Sequence, residues 1–94
     1  MSTTSSAADQ TPEERLERLR QLPPSAKLVF KVLQQEGELS PGDISDASLL
    51  PARTTRYALN KLRDDDLVDE RRSLEDPRRQ LYSARPIRRT GDAD

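Results

Sequence analysis

Residues 52–84, ARTTRYALNKLRDDDLVDERRSLEDPRRQLYSA, change their hydrophobic period part-way along the segment. The first part has helical spacing, which predicts a helix over residues 52–65. The pattern then favours antiparallel strands over residues 67–72 and 80–84, joined by a turn-rich loop over residues 73–79. The helix residues expected to face a core are Ala52, Thr55, Ala58, Leu59 and Leu62. The segment therefore predicts one helix followed by a β-hairpin.

Two further helices are predicted directly before this segment. Ser25 has the residue type of an N-cap and opens a helix over residues 25–36, which Gly37 ends. Ser40-Pro41 supplies a second cap with proline at the first helical position, and opens a short third helix. The expected core residues of these two helices are Ala26, Val29, Phe30, Leu33, Ile44 and Ala47. The resulting order is mainly α with a small β-hairpin, as in a winged helix-turn-helix.

The two ends of the chain differ from this central unit. Residues 1–11 are mostly Ser, Thr and Ala, which predicts a disordered lead-in. Residues 12–22 are a predicted short helix, whose apolar residues are Leu16, Leu19 and Leu22. Three leucines do not hold an isolated helix, so this helix either docks on the body or meets a partner. The winged unit is expected to span residues 25–84, and residues 85–94 to form a polar tail.

The composition of the 94 residues limits both the core and the chemistry. Hydrophobic residues make up 32% of the chain and charged residues 35%, so one compact unit of about 60 residues is expected. The absence of Cys and His excludes disulfides and thiolate nucleophiles, and removes the usual general base and metal ligand. No apolar run approaches the length of a membrane span. We therefore predict a soluble, cytoplasmic protein that is not an enzyme, has no catalytic or metal-binding residues, needs no cofactor and contacts no membrane.

The charge is distributed unevenly along the chain. The total is −1, from 16 basic and 17 acidic side chains. Residues 51–90 carry eleven basic and seven acidic side chains, a net charge of +4, and the rest of the chain carries −5. A basic segment beside an acidic remainder is one footprint of a nucleic-acid-binding protein, and a scattered, solvated charged surface is the alternative.

The choice of charged residue is also biased. Arginine outnumbers lysine thirteen to three, and aspartate outnumbers glutamate ten to seven. An Asp-rich, Lys-poor composition resembles that of proteins from halophilic archaea, whose acidic surfaces hold water in concentrated salt. A GC-rich genome produces the same arginine bias without any adaptation to salt. The sequence leaves both sources of the bias open.

The predicted helix over residues 52–65 carries a polar face opposite its core stripe. Arg53, Tyr57 and Asn60 lie at the centre of that face, flanked by Thr54, Arg56 and Lys61. A helix fits the major groove of B-DNA, where Arg reads guanine, Asn reads adenine and Thr meets a phosphate or a thymine methyl group. The 73–79 loop adds Arg78 and Arg79 for a second contact, to phosphate or in the minor groove. These eight side chains are candidate contacts to double-stranded DNA, and simple solvation of an exposed helix face is the alternative.

Two motifs in the chain resemble those of a known family. The stretches RTTRYALNKLRDDDLVDERR and DPRRQLYSA resemble the recognition helix and wing of the MarR-like transcriptional regulators, in the short form common in haloarchaea. The resemblance covers residues 25–84, and the wing's Asp-x-Arg pattern falls on Asp76 and Arg78. In that family the Asp braces the wing through a salt bridge and a wing Arg enters the minor groove. The resemblance therefore implies a bracing role for Asp76, groove contact for Arg78 or Arg79, and a sequence-specific transcriptional regulator.

The chain departs from that family at two points. The family usually has Gly just before the Leu that opens the wing, whereas this chain has Asp66, a residue type that tolerates the left-handed conformation. Full-length members dimerise through helices on both sides of the winged domain. Here only the 12–22 helix and the tail could take that role, so a homodimer, if it forms, is expected to use the 12–22 helix.

A second function is open to the same fold. Winged helices also serve as protein-interaction modules in transcription or replication assemblies, because a fold does not fix its function. Two features favour this alternative: Leu28 lies off the core face of its predicted helix, and the 12–22 helix has an apolar face of its own. An electropositive recognition face favours DNA instead.

Overall fold

The computed structural model of the protein describes residues 10–88. The elements in chain order are α1 (Pro12–Arg20), α2 (Pro24–Glu36), α3 (Pro41–Ser48), α4 (Ala52–Asp64), β1 (Val68–Arg72) and β2 (Gln80–Ala84). The two strands pair in antiparallel fashion, with Val68 opposite Ala84, and Leu39 adds a single antiparallel bridge to Tyr82. The predicted fold class, mainly α with a small hairpin, is confirmed. Most of the predicted lead-in (residues 1–9) and the end of the predicted tail (residues 89–94) lie outside the described residues.

The helix α1 begins as the sequence predicts and ends earlier. Thr11 is its N-cap, and a capping box forms because the Thr11 hydroxyl accepts from the Glu14 amide at 3.1 Å while the Glu14 carboxylate accepts from the Thr11 amide at 3.0 Å. The helix ends at Arg20, two residues before the predicted end, and Gln21 is its C-cap. The early end leaves a short connection before the prolines that start α2.

The predicted cap of α2 is wrong. Ser25 lies inside the helix, which begins at Pro24 with Pro23 as its N-cap and no side-chain hydrogen bond at the cap. Proline suits the first helical position because its fixed φ is already helical and its missing N–H has no helical partner there. Pro23 therefore takes the N-cap position and Pro24 the first helical position, whereas the sequence pattern assigns the cap to Ser25.

A single apolar core joins all the elements. Its buried residues are Leu19, Ala26, Val29, Phe30, Leu33, Ile44, Ala58, Leu59, Leu62, Leu67, Val68 and Tyr82. The predicted burial of Ala47 and Ala52 is wrong, because both residues are exposed. In α3 the buried residues are Ile44 and Ser48, which lie about 40° apart at 100° per residue, whereas Ala47 lies about 60° away on the other side. Ala52 is the first residue of α4 and lies at the uncovered end of that helix.

The helix α1 docks on the body of the protein. Leu19 is buried in the core, and Leu16 and Leu22 pack against it from partly buried positions. Polar contacts hold the same arrangement. The Arg18 guanidinium lies 3.3 Å from the Asp65 carboxylate, and the side-chain amide of Gln10 donates to the backbone carbonyl of Asp65 at 3.0 Å. Of the two outcomes that the sequence left open for this helix, docking is the one observed.

The first residues of the predicted polar tail pack along α1. The Arg15 guanidinium donates to the Pro86 carbonyl at 2.6 Å, and the Arg88 amide donates to the Pro12 carbonyl at 3.1 Å. Ile87 is partly buried against the core. Within the described residues, the two ends of the chain therefore lie side by side.

Two turns use a left-handed residue other than glycine. Asp66, with φ of 59°, takes the conformation expected of it between α4 and β1. Leu49, with φ of 64°, caps α3 in the same conformation, although its side chain is exposed and gains nothing from burial. Only Leu50 separates this turn from Pro51, the N-cap of α4. The conformation of Leu49 therefore helps to set the direction in which α4 leaves α3.

Thr55→Val is expected to raise the free energy of unfolding by about 1 kcal/mol. Thr55 is 1% exposed, and its hydroxyl has no hydrogen-bond partner among the described residues, so the wild type carries a buried unsatisfied polar group. Valine has the same shape and removes that group. Urea unfolding followed by circular dichroism measures the difference, with Thr54→Val, on a half-buried position of the same helix, as the control. A lower stability for Thr55→Val than for Thr54→Val would contradict the explanation.

Candidate nucleic-acid interface

The six candidate residues of α4 lie on the side of that helix away from the core. The inward residues Thr55, Ala58, Leu59 and Leu62 are buried. Opposite them, four of the candidates are exposed and two are half-buried: Arg53, Arg56, Tyr57 and Asn60 in the first group, and Thr54 and Lys61 in the second. The structure therefore brings these six side chains to one face of one rigid helix.

Contacts within that face order some of its side chains. The Lys61 ammonium lies 5.6 Å from the centre of the Tyr57 ring, a distance suited to a cation–π interaction. The side-chain amide oxygen of Asn60 accepts from the Arg63 guanidinium at 3.3 Å. Among the described residues, Arg53 and Arg56 form no salt bridge, so their guanidinium groups are available to an anionic or base-edge partner.

The turn between α3 and α4 fixes the start of the polar face. The Ser45 hydroxyl donates to the Leu50 carbonyl at 2.5 Å, and the Ser48 hydroxyl accepts from the Leu50 amide at 3.3 Å. These bonds satisfy backbone groups that would otherwise be left unpaired where α3 ends. The N-terminal end of α4, with Arg53 and Thr54, is thus held in a defined orientation.

The 73–79 loop is ordered by its own side chains. The Ser73 hydroxyl accepts from the amides of Glu75 and Asp76 at 3.2 and 3.3 Å. The Asp76 carboxylate accepts from the Arg78 amide at 3.1 Å and from the Arg78 guanidinium at 3.3 Å. The Arg78 side chain is nevertheless 91% exposed. The contacts of Asp76 are thus local to the loop, and its bracing role stays a prediction that these bonds support.

The two candidate arginines of the loop are placed differently. Arg78 points to solvent, whereas the Arg79 guanidinium donates to the Ser40 hydroxyl and to the Asp43 carboxylate, both at 3.1 Å. Arg79 therefore ties the hairpin to the first turn of α3. The sequence placed both arginines at the loop tip, because nothing local indicates a partner 36 residues away.

Two adjoining cavities lie beside the hairpin, the larger one against the start of α3 and the smaller one against α4. One, of about 410 Å³, is lined by Arg72, Arg78 and Arg79 together with residues 40–42 and Gln80. The other, of about 270 Å³, is lined by Arg56, Leu59, Asn60, Arg63 and Tyr82. Both cavities include Pro41 and Gln80, so they form one arginine-lined groove.

Sequence reasoning missed two arginines of this groove. The sequence pattern predicts Arg72 as the end of the first strand and Arg63 as part of the 52–65 helix, and it assigns neither to a site. Strand alternation could have indicated Arg72, since Val68, Glu70 and Arg72 share one face of β1.

The Tyr82 phenol lines the smaller cavity of the groove. Burial raises its pKa, as does the charge of nearby Glu70. That phenol therefore stays neutral and serves as part of the groove wall.

The described residues contain little else that suggests a site. Within residues 10–88, no three Asp, Glu, His or Cys side chains come together in a way that could hold a metal ion. In the same part of the chain, no helix is long and apolar enough to cross a membrane. The arginine-lined groove and the outward face of α4 are accordingly the candidate functional surface.

No protein-family model and no curated protein matches the chain, whereas solved structures do. ZitR of Lactococcus lactis, in complex with DNA, superposes with a TM-score of 0.60 at 20% identity over 69% of this chain and 44% of ZitR. BpsR of Bordetella bronchiseptica gives 0.67 at 19% identity over 78% of this chain and 56% of BpsR. A MarR family transcription regulator gives 0.68 at 15% identity over 80% of this chain and 49% of the regulator.

The fold is that of MarR family regulators. ZitR is described as a zinc-responsive MarR family member, and the BpsR structure concerns regulation of its DNA binding by 6-hydroxynicotinic acid. Identities of 15% to 20% establish this shared fold and nothing more specific. The chain spans 44% to 56% of the length of these three proteins.

Proposed function

We propose that the protein is a transcriptional regulator that binds double-stranded DNA in a sequence-specific manner. In this proposal α4 is the recognition helix and enters the major groove, while the 73–79 loop is the wing and lies on the backbone or in the minor groove. The observation that carries the proposal is the continuous surface from the outward face of α4 through the arginine-lined groove to the hairpin.

The residue types on α4 suit base recognition. Arg53 can donate two hydrogen bonds to one guanine, Asn60 can pair with an adenine edge, and Thr54 can meet a phosphate or a thymine methyl group. The 13 residues of α4 make a rod about 20 Å long, which lies within a major groove about 12 Å wide. Arg56 and Lys61, at the flanks, are suited to the phosphates on either side.

The wing supplies the second contact in this proposal. Arg78 is the more exposed of the two loop arginines, with 91% of its side chain accessible against 52% for Arg79, so it is the one proposed to reach the minor groove, and Asp76 orients it. Arg79, which is hydrogen-bonded to α3, is proposed to approach the DNA backbone instead.

The proposal includes no metal, cofactor or catalytic step. The halophilic, archaeal origin suggested by the composition stays a prediction.

The loss of Arg53 or Asn60 is expected to relax sequence preference. Each alanine substitution should weaken binding to the preferred duplex by about 1–3 kcal/mol and binding to unrelated duplexes much less, because base contacts discriminate and phosphate contacts do not. Arg78→Ala should weaken binding to both duplexes more evenly. Fluorescence anisotropy with a selected duplex and a scrambled duplex of equal length measures this. Equal losses on both duplexes for all three variants would contradict the assigned roles.

A protein-interaction module is the second candidate function, and one observation favours it. Leu28 on α2 is 41% exposed, as the sequence predicts for a residue off the core face. The other feature that favoured this function, the apolar face of α1, packs on the body of the same chain. The arginine-lined groove has the electropositive character that the DNA-binding function requires, so that function is the better supported.

A further inference from the structure

Three arginines converge on the larger part of the groove, where the hairpin meets α3. Arg72, at the end of β1, and Arg78 and Arg79, which precede β2, line one side of the cavity of about 410 Å³. Residues 40–42, the first turn of α3 and its cap, line the other side. The cavity is open at the surface of the described structure and large enough for a tetrahedral anion.

Each of these arginines is anchored at one point, which leaves other donors free. Arg72 donates through one terminal nitrogen to the Pro77 carbonyl at 2.9 Å. Arg79 uses one terminal nitrogen for both of its bonds to α3, and Arg78 uses its Nε toward the Asp76 carboxylate. A guanidinium has five N–H donors in a rigid plane, so each side chain keeps several donors for a bound group. Arg72 and Arg79 are thus positioned by the protein itself, whereas Arg78 is held by a single exposed contact.

The charge at this place is suited to a group with a single negative charge. Among the described residues, the carboxylates that contact the three arginines are Asp43 and Asp76, so the local net charge is +1. A phosphodiester carries one negative charge and would neutralise this site. The N-terminus of α3, which lies at the cavity, adds a partial positive charge and so also favours a bound anion.

We propose that this cavity binds one phosphodiester of the DNA backbone, and that Arg72 is one of its phosphate ligands. The neighbouring cavity, which contains Arg56, Asn60 and Arg63 of α4, continues the groove toward the proposed recognition helix. A DNA strand lying along the groove would therefore pass from α4 to this cavity. The inference rests on the proposed DNA-binding function and adds a defined phosphate contact where the hairpin joins α3.

Arg71 provides a matched control for Arg72. It lies next to Arg72 on β1 but on the opposite face, and it contacts Glu38 at 2.5 and 2.7 Å instead of lining the cavity. The hydrogen bonds from Arg71 lower the pKa of the Glu38 carboxyl, so this pair is charged at neutral pH. The two alanine variants therefore remove the same charge from the same strand at two different places.

The test is the affinity of the full chain for a fluorescent duplex at several salt concentrations. Each phosphate contact contributes about 0.9 to the slope of log affinity against log salt, equal to about an eightfold change in affinity at 0.1 M salt relative to 1 M. Arg72→Ala is expected to reduce the slope by about that amount and to weaken binding about eightfold at 0.1 M, equally on selected and scrambled duplexes. Arg71→Ala is expected to stay within about twofold of wild type.

A second variant separates charge from loop structure. Arg72→Gln keeps an amide that can donate to the Pro77 carbonyl, and it is expected to behave like Arg72→Ala if the charge binds a phosphate. Wild-type affinity for Arg72→Gln would overturn the proposal and assign Arg72 to loop support. Equal losses for Arg71→Ala and Arg72→Ala would also overturn it, because only net charge would then matter. Failure of the wild type to bind any duplex would overturn the DNA-binding function itself.

Discussion

Phe30→Ala is expected to unfold the protein at 25 °C. The Phe30 ring is 0% exposed and is among the largest fully buried side chains of the core. Replacing a buried Phe by Ala costs about 3–5 kcal/mol, since apolar contacts are lost and a cavity remains. A core of this size rarely supplies more than about 3–5 kcal/mol of net stability. Far-ultraviolet circular dichroism should therefore show loss of helix signal for the purified variant.

A matched control distinguishes the role of burial from the loss of an apolar side chain as such. Leu74→Ala removes an apolar side chain that is 92% exposed in the 73–79 loop, and its effect on unfolding should be within about 0.5 kcal/mol. A Phe30→Ala variant that unfolds cooperatively at the same urea concentration as the wild type would show that the core is arranged differently.

Removal of residues 1–22, which contain α1, is expected to destabilise the remaining chain strongly. Leu19 is buried, and Leu16 and Leu22 are partly buried, so the deletion exposes the apolar surface that they cover. Full burial of one leucine contributes about 1.5–3 kcal/mol, and the three together contribute roughly 3–6 kcal/mol. The contact between Arg18 and Asp65 is lost as well, with a smaller effect because both side chains are partly exposed. Urea unfolding measures the change.

The same deletion addresses the homodimer through the 12–22 helix that the sequence leaves open. If α1 serves mainly to complete the core of its own chain, Leu19→Ala should reproduce much of the destabilisation, whereas Glu17→Ala, on an exposed position of the same helix, should not. Light scattering then gives the mass of each variant. A halved mass together with unchanged stability would contradict docking as the role of α1 and would assign this helix to a dimer interface.

Local sequence signals predicted most of the fold. The Ser40 cap is confirmed as predicted, and the second strand has the predicted bounds, Gln80–Ala84. The left-handed turn at Asp66 is confirmed as well. Each of these features is decided by a few neighbouring residues, through a cap, a proline or an alternating pattern. Such features can therefore be predicted from one sequence.

The errors of prediction at helix ends arose where two local signals compete or where packing decides. Both Pro24 and Ser25 favour a helix start, and the sequence does not indicate which one takes the first position. Ala47 and Ala52 belong to helices with apolar patterns, but their burial depends on which neighbouring element covers that end of the helix. Alanine is compatible with either environment, so its type gives no guidance.

The candidate site was predictable only as far as a single element determines it. The outward face of α4 follows from helical periodicity, and its six candidate residues are away from the core in the structure. The bond of Arg79 to Asp43, and the cavity that Arg72, Arg78 and Arg79 share with residues 40–42, join two segments far apart in the chain. Those relations depend on how the hairpin packs against α3, and no sequence pattern within either segment records them.

The most direct measurement of the central proposal is a selection of binding sites by the full chain from a library of random duplexes, followed by affinities for the selected and scrambled sequences. The proposed function predicts a shared sequence among the selected duplexes and, at 0.15 M salt, a preference of about 10³-fold or more over the scrambled duplex. Equal affinity for both duplexes, or binding to neither, would contradict sequence-specific recognition by α4.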